Sequence, residues 1–555
     1  MPKAIIRGTK RLALHASLLA GSLLFAFPFI WLLSTSAKVP DEMYPPRWIP
    51  QVPDGVVDSP YFGLRVNENP VQPALVTDED WARVTPAALK AISSAAGSRA
   101  AELPDFMVPH LANPVLAEGI YGRLVRRAPD AIFAEPTEPA AMYFAGQVDP
   151  ALIREVFDAV YRRVMVSTVT LHGWDLSIER PTGDAEFDWQ VVAGDASLVH
   201  REQGLLRPGQ EVRYSFAENR SFTLQTTVPL EMDVENFRKI VVGNRGDRSW
   251  HPIHATVEVG GRRFDSMDRA FSGSDQWQDL TWQFPSPDDD SIKLKNWLRL
   301  RDTGPSDVTD PHTVRISLEY QYAPRVFTTW YKYTRNYREA MRLAPVDTYA
   351  WNSFVLVALN VLGQMIGSSL VAYAFSRLRW PGRDFCFVLV LATLMIPPQV
   401  TMIPVFLIFK ELGWYNTLRP LWVTAWFGSA FYIFLLRQFM LGIPRDLEDS
   451  ARIDGCGYFG IFRRIILPLV KPALATIGIF TFLSVWNDFM GPLIYLSDQR
   501  LYPLSLGLFS LQVTNVNAHE ILMAASVLMT LPVMVLFFLA QRQFIQGVTL
   551  TGLKG

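Results

Sequence analysis

The chain has 555 residues, enough for several domains, with 52 Lys and Arg against 53 Asp and Glu. The near-neutral sum hides a division: residues 1–38 carry five basic residues and no acid, and residues 328–555 carry eighteen basic and eleven acidic ones, so subtraction from the total of −1 leaves −13 for residues 39–327. No basic run suggests nucleic-acid binding, and Cys386 and Cys456, the only cysteines, both lie outside 39–327, which excludes a disulfide-stapled middle region. No Cys/His spacing fits a zinc site; His251 and His254 are a lone pair.

In chain order, a basic start (Lys3, Arg7, Lys10, Arg11) precedes an uncharged run over 12–37 that contains only His15 as a titratable group. A cleaved signal peptide is the competing reading. The run exceeds a signal core and is long enough to cross ~30 Å of hydrocarbon. Phe29 and Trp31 sit near its far end, as an interfacial aromatic belt does. It is expected to be a retained first span with its N-terminus in the cytoplasm.

Residues 39–327 contain no run able to cross a bilayer. Their first part is mixed, with helical patterning over 78–96 and 149–165. From about 166 onward, alternation typical of strands recurs at 221–228, 239–242, 254–259, 278–284 and 313–322. Turn signals at Asn244-Arg245-Gly246-Asp247, at Gly260-Gly261 and over 285–290 separate them. Short strands at this spacing predict a β-sandwich or jelly roll. Trp250, Trp277, Trp282 and Trp297 are candidates for stacking on sugar rings, with burial in a core as the commoner role.

Five more largely uncharged runs long enough to span follow at 353–375, 385–409, about 418–436 (with Arg419 at its start), 472–497 (interrupted by Asp488) and 521–540. With the first this predicts six transmembrane helices. Arg377, Arg379 and Arg383 fall in one inner connection, and Arg437, Arg445, Arg452, Arg463, Arg464 and Lys471 in another. The 497–520 connection carries Arg500 as its one basic residue. The positive-inside rule then puts both termini in the cytoplasm and the acidic 39–327 region outside.

Between the fourth and fifth runs lies a polar, glycine-punctuated island, Glu448 to Pro468. Pro444 is a candidate helix start, and acids fill the first turn, where the helix dipole favours them. Gly455 and Gly457 are expected to break that helix. A second short helix follows, with Phe459, Phe462, Ile465 and Ile466 at three- and four-residue spacing. The outcome is a helix-turn-helix knob at a membrane surface.

Asp449, Ser450, Ala451, Gly455, Ile465, Leu467 and Pro468 match, at every spacing, the EAA loop of ABC-importer permeases, whose pattern is Glu-Ala-Ala, three residues, Gly, nine residues, Ile, one residue, Leu-Pro. Asp449 stands where that family has Glu, and Ser450 where it usually has Ala. Asn352-Ser353, 372–378 (Ala-Tyr-Ala-Phe-Ser-Arg-Leu), 396–400 (Ile-Pro-Pro-Gln-Val), Ile403-Pro404, 486–489 (Trp-Asn-Asp-Phe) and the 547–555 tail resemble its carbohydrate-uptake (MalG-like) branch. The resemblance covers about 1–50 and 328–555; the residues between are a departure, an insertion in the first outer loop.

The resemblance implies an α-helical polytopic membrane protein with the ABC-importer permease fold. It carries an inserted extracytoplasmic α+β region of two parts, 51–165 and 166–327, the latter β-sandwich-like or jelly-roll-like. The permease core is then 1–50 with 328–555, and the ATPase-coupling loop is 444–468. Glu448, Asp449, Ser450, Ala451, Asp454, Gly455, Ile465, Leu467 and Pro468 are the residues implied to couple. The implied partners are cytoplasmic ABC ATPase subunits, a second permease subunit, an external substrate-binding protein, the inner-membrane bilayer and a sugar. The chain lacks a Gly-x-x-x-x-Gly-Lys-Ser/Thr loop, so ATP is expected on the partner ATPase and no cofactor or metal on this chain.

Asp488, with Trp486 and Asn487, has two readings: an acid lining a translocation path, or a helix-packing or interfacial residue. Two other functions also compete. A membrane-anchored sensor or glycan-binding protein would work through its external β domain, but no inner segment is long enough for an output domain. A glycan hydrolase would need a carboxylate pair, and the scattered acids of 166–323 present none by sequence.

Overall fold

The computed structural model describes residues 3–43, 47–64, 68–173, 189–201, 209–285, 297–514 and 518–552. It divides into two units: Val52–Asp289 with Asn296–Lys332, and Met1–Gln51 with Tyr333–Gly555. The chain passes from the first to the second within the helix Arg325–Leu343.

The first unit has a helical part and a β part, each with its own core. Val84, Ala88, Ile92 and Ala96, at strict four-residue spacing, line the buried face of the helix Asp78–Ser98. They pack with Leu116, Ile120 and Tyr121 of the helix Pro114–Val125, Phe144 of Thr137–Gly146, and Ile153 and Phe157 of Pro150–Val160. Side-chain caps fix three of these helix starts: Thr77 accepts from Asp80 N–H at 3.2 Å, Asn113 from Val115 at 3.0 Å and Asp149 from Leu152 at 2.6 Å. The helical pattern read over 149–165 ends at Val160. Residues from Tyr161 onward turn into strands, and Val164–Gly173 is a central strand whose first four residues are buried.

Eleven of the described strands form one continuous path. In spatial order they are Asp58–Ser59, Gly209–Ser215, Val164–Gly173, Phe237–Arg245, Trp277–Gln283, Leu298–Pro305, Arg262–Ser266, Pro252–Val259, Thr313–Gln321, Ser221–Pro229 and Gln190–Ala193. Pairing is antiparallel except between Trp277–Gln283 and Leu298–Pro305. Alternate residues of both halves, Val212, Ile240 and Val242 from one and Leu224, Val257, Ile316 and Leu318 from the other, share one core. The tryptophans are not open platforms: Trp282 and Trp250 are buried, and Trp277 and Trp297 half-buried, with the Lys239 ammonium 4.6 Å over the Trp297 ring.

Among the described residues of the second unit, three helices are long and apolar enough to cross a membrane: Leu14–Ser36, Val346–Arg377 and His519–Leu539. Three bent helix pairs supply up to three more. The run 385–409 is not one straight helix: Arg383–Met395 and Pro398–Glu411 meet at 102°, because Pro397 and Pro398 remove two backbone donors and end the first helix. The run 472–497 is also divided, into Lys471–Trp486 and Met490–Tyr495. Val346–Arg377 is central and packs against both Ala430–Leu441 and Lys471–Trp486. Gly363 permits one of its close approaches, since a Cβ there would stand 2.6 Å from the Trp426 ring.

Candidate functional site: an ion-paired knob and a polar cavity

The knob is two arms turned across the spans that carry them. Asp446–Ile453 leaves Pro420–Leu441 at 78°, and Tyr458–Leu469 meets Lys471–Trp486 at 75°. The first arm starts at Asp446, two residues beyond Pro444, with Asp446, Glu448 and Asp449 in its first turn. It stops in a Schellman arrangement. Gly455 has φ +81°, its N–H donates to the Arg452 carbonyl at 3.0 Å, and Cys456 N–H donates to Ala451 at 2.9 Å. The second arm contains a π-turn over Phe462–Ile466. That turn lets Ile461, Phe462 and Ile466 share the buried side, whereas Phe459, expected on the same face, stands exposed.

The first arm is two-faced. Glu448 and Ala451 are buried, while Asp449, Ser450 and Asp454 are exposed. Ser450 Oγ donates to the Asp446 carbonyl at 2.8 Å, and Asp449 faces Arg452 at 3.5 Å in a solvated pair. Ile465 and Leu467 are half-buried and Pro468 is exposed. Leu447, Ile453, Tyr458 and Phe459 give the outer side of the knob large exposed apolar groups.

The buried side is anchored by a residue that the sequence presents as an inner-loop charge within the 372–378 stretch, with no sign of its partner. Arg377, the last residue of Val346–Arg377, pairs with Glu448 at 3.1 Å, and their side chains are 2% and 5% exposed. Its guanidinium also donates to the Met440 carbonyl, and to Ile443 at 2.8 Å. One side chain therefore binds the end of a span, the end of Ala430–Leu441 and the first arm. Tyr373, one turn earlier, donates its hydroxyl to the Tyr458 carbonyl of the second arm at 3.1 Å and packs on Phe462.

A cavity of about 360 Å³ opens among the same helices. Its polar lining is Asn360 and Gln364 from Val346–Arg377, Ser429 and Tyr432 from the start of Ala430–Leu441, and Thr481, Ser484 and Asp488 from Lys471–Trp486 and the turn after it. Asn360 donates to the carbonyls of Leu356 and Leu421, and the Gln364 Oε1 accepts from Ser429 N–H at 3.0 Å. Thr481 Oγ1 is buried without a hydrogen-bond partner. One Asp488 oxygen accepts from Gly491 N–H at 3.1 Å, capping Met490–Tyr495. The cavity thus takes in Asp488 but neither of its neighbours. Trp486 is buried, stacked on Phe482 with its Nε1–H donated to the Met529 carbonyl at 3.0 Å, so it belongs to the helix packing. Asn487 donates back to Leu483 at 2.8 Å.

Apolar spans, a knob locked to them on one side and a polar cavity between them define a membrane permease. Residues 360–550 match the family described as the binding-protein-dependent transport system inner membrane component. The arabinooligosaccharides transport system permease protein AraQ of Halalkalibacterium halodurans is 40% identical over 205 residues, which are 37% of this chain and 72% of that protein. The protein of the same name from Bacillus subtilis is 38% identical over 37% of this chain and 73% of its own length. A solved bacterial ABC transporter involved in the import of the acidic polysaccharide alginate is 25% identical over 37% of this chain and 78% of its own, with a TM-score of 0.34. The chain belongs to the binding-protein-dependent inner-membrane transport family, as a permease subunit of an ABC importer.

Proposed function

We propose that this permease imports a sugar or oligosaccharide handed over by an external binding protein, forming half of a pore completed by a second permease subunit. The relatives named for arabinooligosaccharides, and one named for melibiose, raffinose and stachyose at 31% identity, support the solute class. In this reading the three long helices and the three bent pairs are six spans, both termini are cytoplasmic, and the 39–327 region is external. The chain is not itself an enzyme; ATP is bound by partner ATPase subunits.

The observation that carries the coupling role is the two-sidedness of the knob. Its inner side is tied to the spans through Arg377–Glu448 and Tyr373–Tyr458, and its outer side presents Leu447, Ile453, Tyr458 and Phe459. A protrusion held firmly on one side and apolar on the other suits insertion into a cleft of a moving partner, whose closure then rocks the spans. Asp449, Ser450, Asp454 and Gly455 shape that outer surface.

The test is ATP-dependent uptake of labelled arabinooligosaccharide and of raffinose by cells expressing the transporter, together with co-purification of the ATPase. Leu447→Glu with Phe459→Glu is expected to abolish both uptake and co-purification at normal membrane abundance. Undiminished uptake by that variant would refute the coupling role. Failure of the unaltered transporter to accumulate any sugar would refute the solute class.

A further inference from the structure

Thr481 is the one polar side chain of the cavity that is buried, 4% exposed, and has no partner within the protein. A buried hydroxyl without a partner is costly unless something else supplies the hydrogen bond. Around it the lining offers further unused capacity. Gln364 spends its carbonyl on Ser429 and keeps its amide N–H groups, Asn360 spends its amide and keeps its carbonyl, and Ser484 is open. Donors and acceptors are therefore mixed, as ring hydroxyls require, since each hydroxyl both donates and accepts. The volume, about 360 Å³, lies in the range of small-ligand sites.

The charge of the lining is one-sided. Among the described lining residues it holds the Asp488 carboxylate and no Lys, Arg or His. We propose that this cavity is a solute-binding site of the permease itself, in which Thr481 and Gln364 hydrogen-bond a neutral polyhydroxylated ring and Asp488 turns away solutes bearing a carboxylate. The proposal rests on the sugar-import reading and deepens it. An anionic sugar entering the cavity would find a like charge and no counter-charge among the described lining residues, and such juxtapositions act against the wrong ligand. Asp488 performs this role with one oxygen while the other caps the following helix.

Two substitutions separate the solute role from a structural one. Thr481→Val keeps shape and removes a hydroxyl that bonds nothing in the protein, so stability is expected to hold while solute affinity falls about three- to tenfold, the worth of one hydrogen bond. Asp488→Asn keeps an oxygen able to cap Met490–Tyr495 and removes only the charge. The experiment is carried out on the assembled transporter with Cys386→Ser and Cys456→Ala, labelling Ser484→Cys with a maleimide. Arabinose, glucose and galactose are the neutral probes, and glucuronate and galacturonate their carboxylated counterparts.

Neutral sugars are expected to slow labelling at concentrations where the uronates do not. Thr481→Val should raise the half-protecting concentration, and Asp488→Asn should bring the uronates to within about threefold of the neutral sugars. The proposal is overturned if no sugar protects the thiol introduced at position 484, if uronates protect the unaltered cavity equally, or if either substitution leaves protection unchanged. Sugar uptake by the unaltered transporter is measured alongside. Uptake intact with protection absent sinks this site alone, whereas uptake absent sinks the import reading beneath it.

Discussion

The Asn336 side-chain amide donates to the carbonyls of Ser36 at 2.9 Å and Lys38 at 2.6 Å, joining residues 300 and 298 positions apart. Ser36 Oγ meets the Tyr337 hydroxyl at 2.7 Å, and Tyr333 donates to the Pro50 carbonyl. The chain leaves the membrane unit and returns to it at one place. That is the condition under which a domain can be inserted in a loop without disturbing its host.

The inserted region is therefore expected to fold by itself. Residues 52–332 expressed alone should unfold cooperatively in denaturant and should bind either the cognate binding protein or glycan near the pore mouth. A molten or insoluble fragment would refute independence. A folded fragment that binds neither partner would leave the region without a docking role.

Breaking the buried pair at the knob is expected to be expensive. Glu448→Gln leaves the Arg377 charge without its counter-ion in a site almost closed to water, at a cost of about 3–5 kcal/mol. Arg377→Met should lower transport further, because it also releases the carbonyls of Met440 and Ile443. Uptake per ATP hydrolysed, at matched membrane abundance, is the measurement. An unchanged ratio in both variants would show that the pair does not transmit motion.

Gly455 makes a narrower prediction. Nothing stands within 4 Å of where its Cβ would be, so only the left-handed backbone opposes a side chain. Gly455→Ala should cost about 1–2 kcal/mol and leave uptake measurable. Gly455→Pro forbids the positive φ and the bond to Arg452, and should uncouple hydrolysis from uptake without preventing insertion. Normal uptake by the proline variant would contradict this.

His251 gives the unit of residues 52–332 a pH dependence. Its Nε2 faces the Val56 carbonyl at 3.0 Å, and its Nδ1 accepts from Ala323 N–H at 3.2 Å, which defines the neutral tautomer. Burial holds its pKa below 6.5, against the opposing pull of Asp247 and the Val56 carbonyl. Above that value neither folded nor unfolded chain is protonated there. As pH falls below 6.5, the unfolded chain takes a proton first, so stability declines until the folded pKa is reached. Denaturation midpoints of the 52–332 fragment should drop between pH about 7.5 and about 5.5, and His251→Gln should flatten that drop. A wild-type midpoint indifferent to pH would count against it.

Orientation is tested by thiol labelling. A cysteine replacing Glu218, which is solvent-exposed in the inserted unit, should react with an impermeant reagent in intact cells. Cys456, on the knob, should react only after permeabilisation. Labelling of Cys456 from outside would overturn the six-span arrangement.

Strands with one wet face were legible because their alternation is a local property; the expected 221–228, 254–259 and 313–322 stand within or against Ser221–Pro229, Pro252–Val259 and Thr313–Gln321. Val164–Gly173 was not, because its buried apolar start reads as a continuation of the amphipathic helix before it. The knob was legible through Gly455, whose conformation few other residues adopt. Arg377–Glu448 was not, since a pair 71 positions apart leaves no periodic trace. The cavity did leave one: its lining residues Asn360 and Gln364, continued by buried Ser368, repeat every four residues through an otherwise apolar run, a polar stripe on a span.

The meeting of Asn336 with Lys38 also imposes an order on biogenesis. The roughly 280 residues from Val52 to Lys332 are made after the first span and before the second. At about 5–20 residues per second, the ribosome spends roughly 15 to 55 seconds on them. In the proposed orientation, the first span waits throughout that interval without the helix that ties down its end, while the acidic region is threaded across the bilayer. The contacts to Ser36, Lys38 and Pro50 close only when Tyr333, Asn336 and Tyr337 emerge.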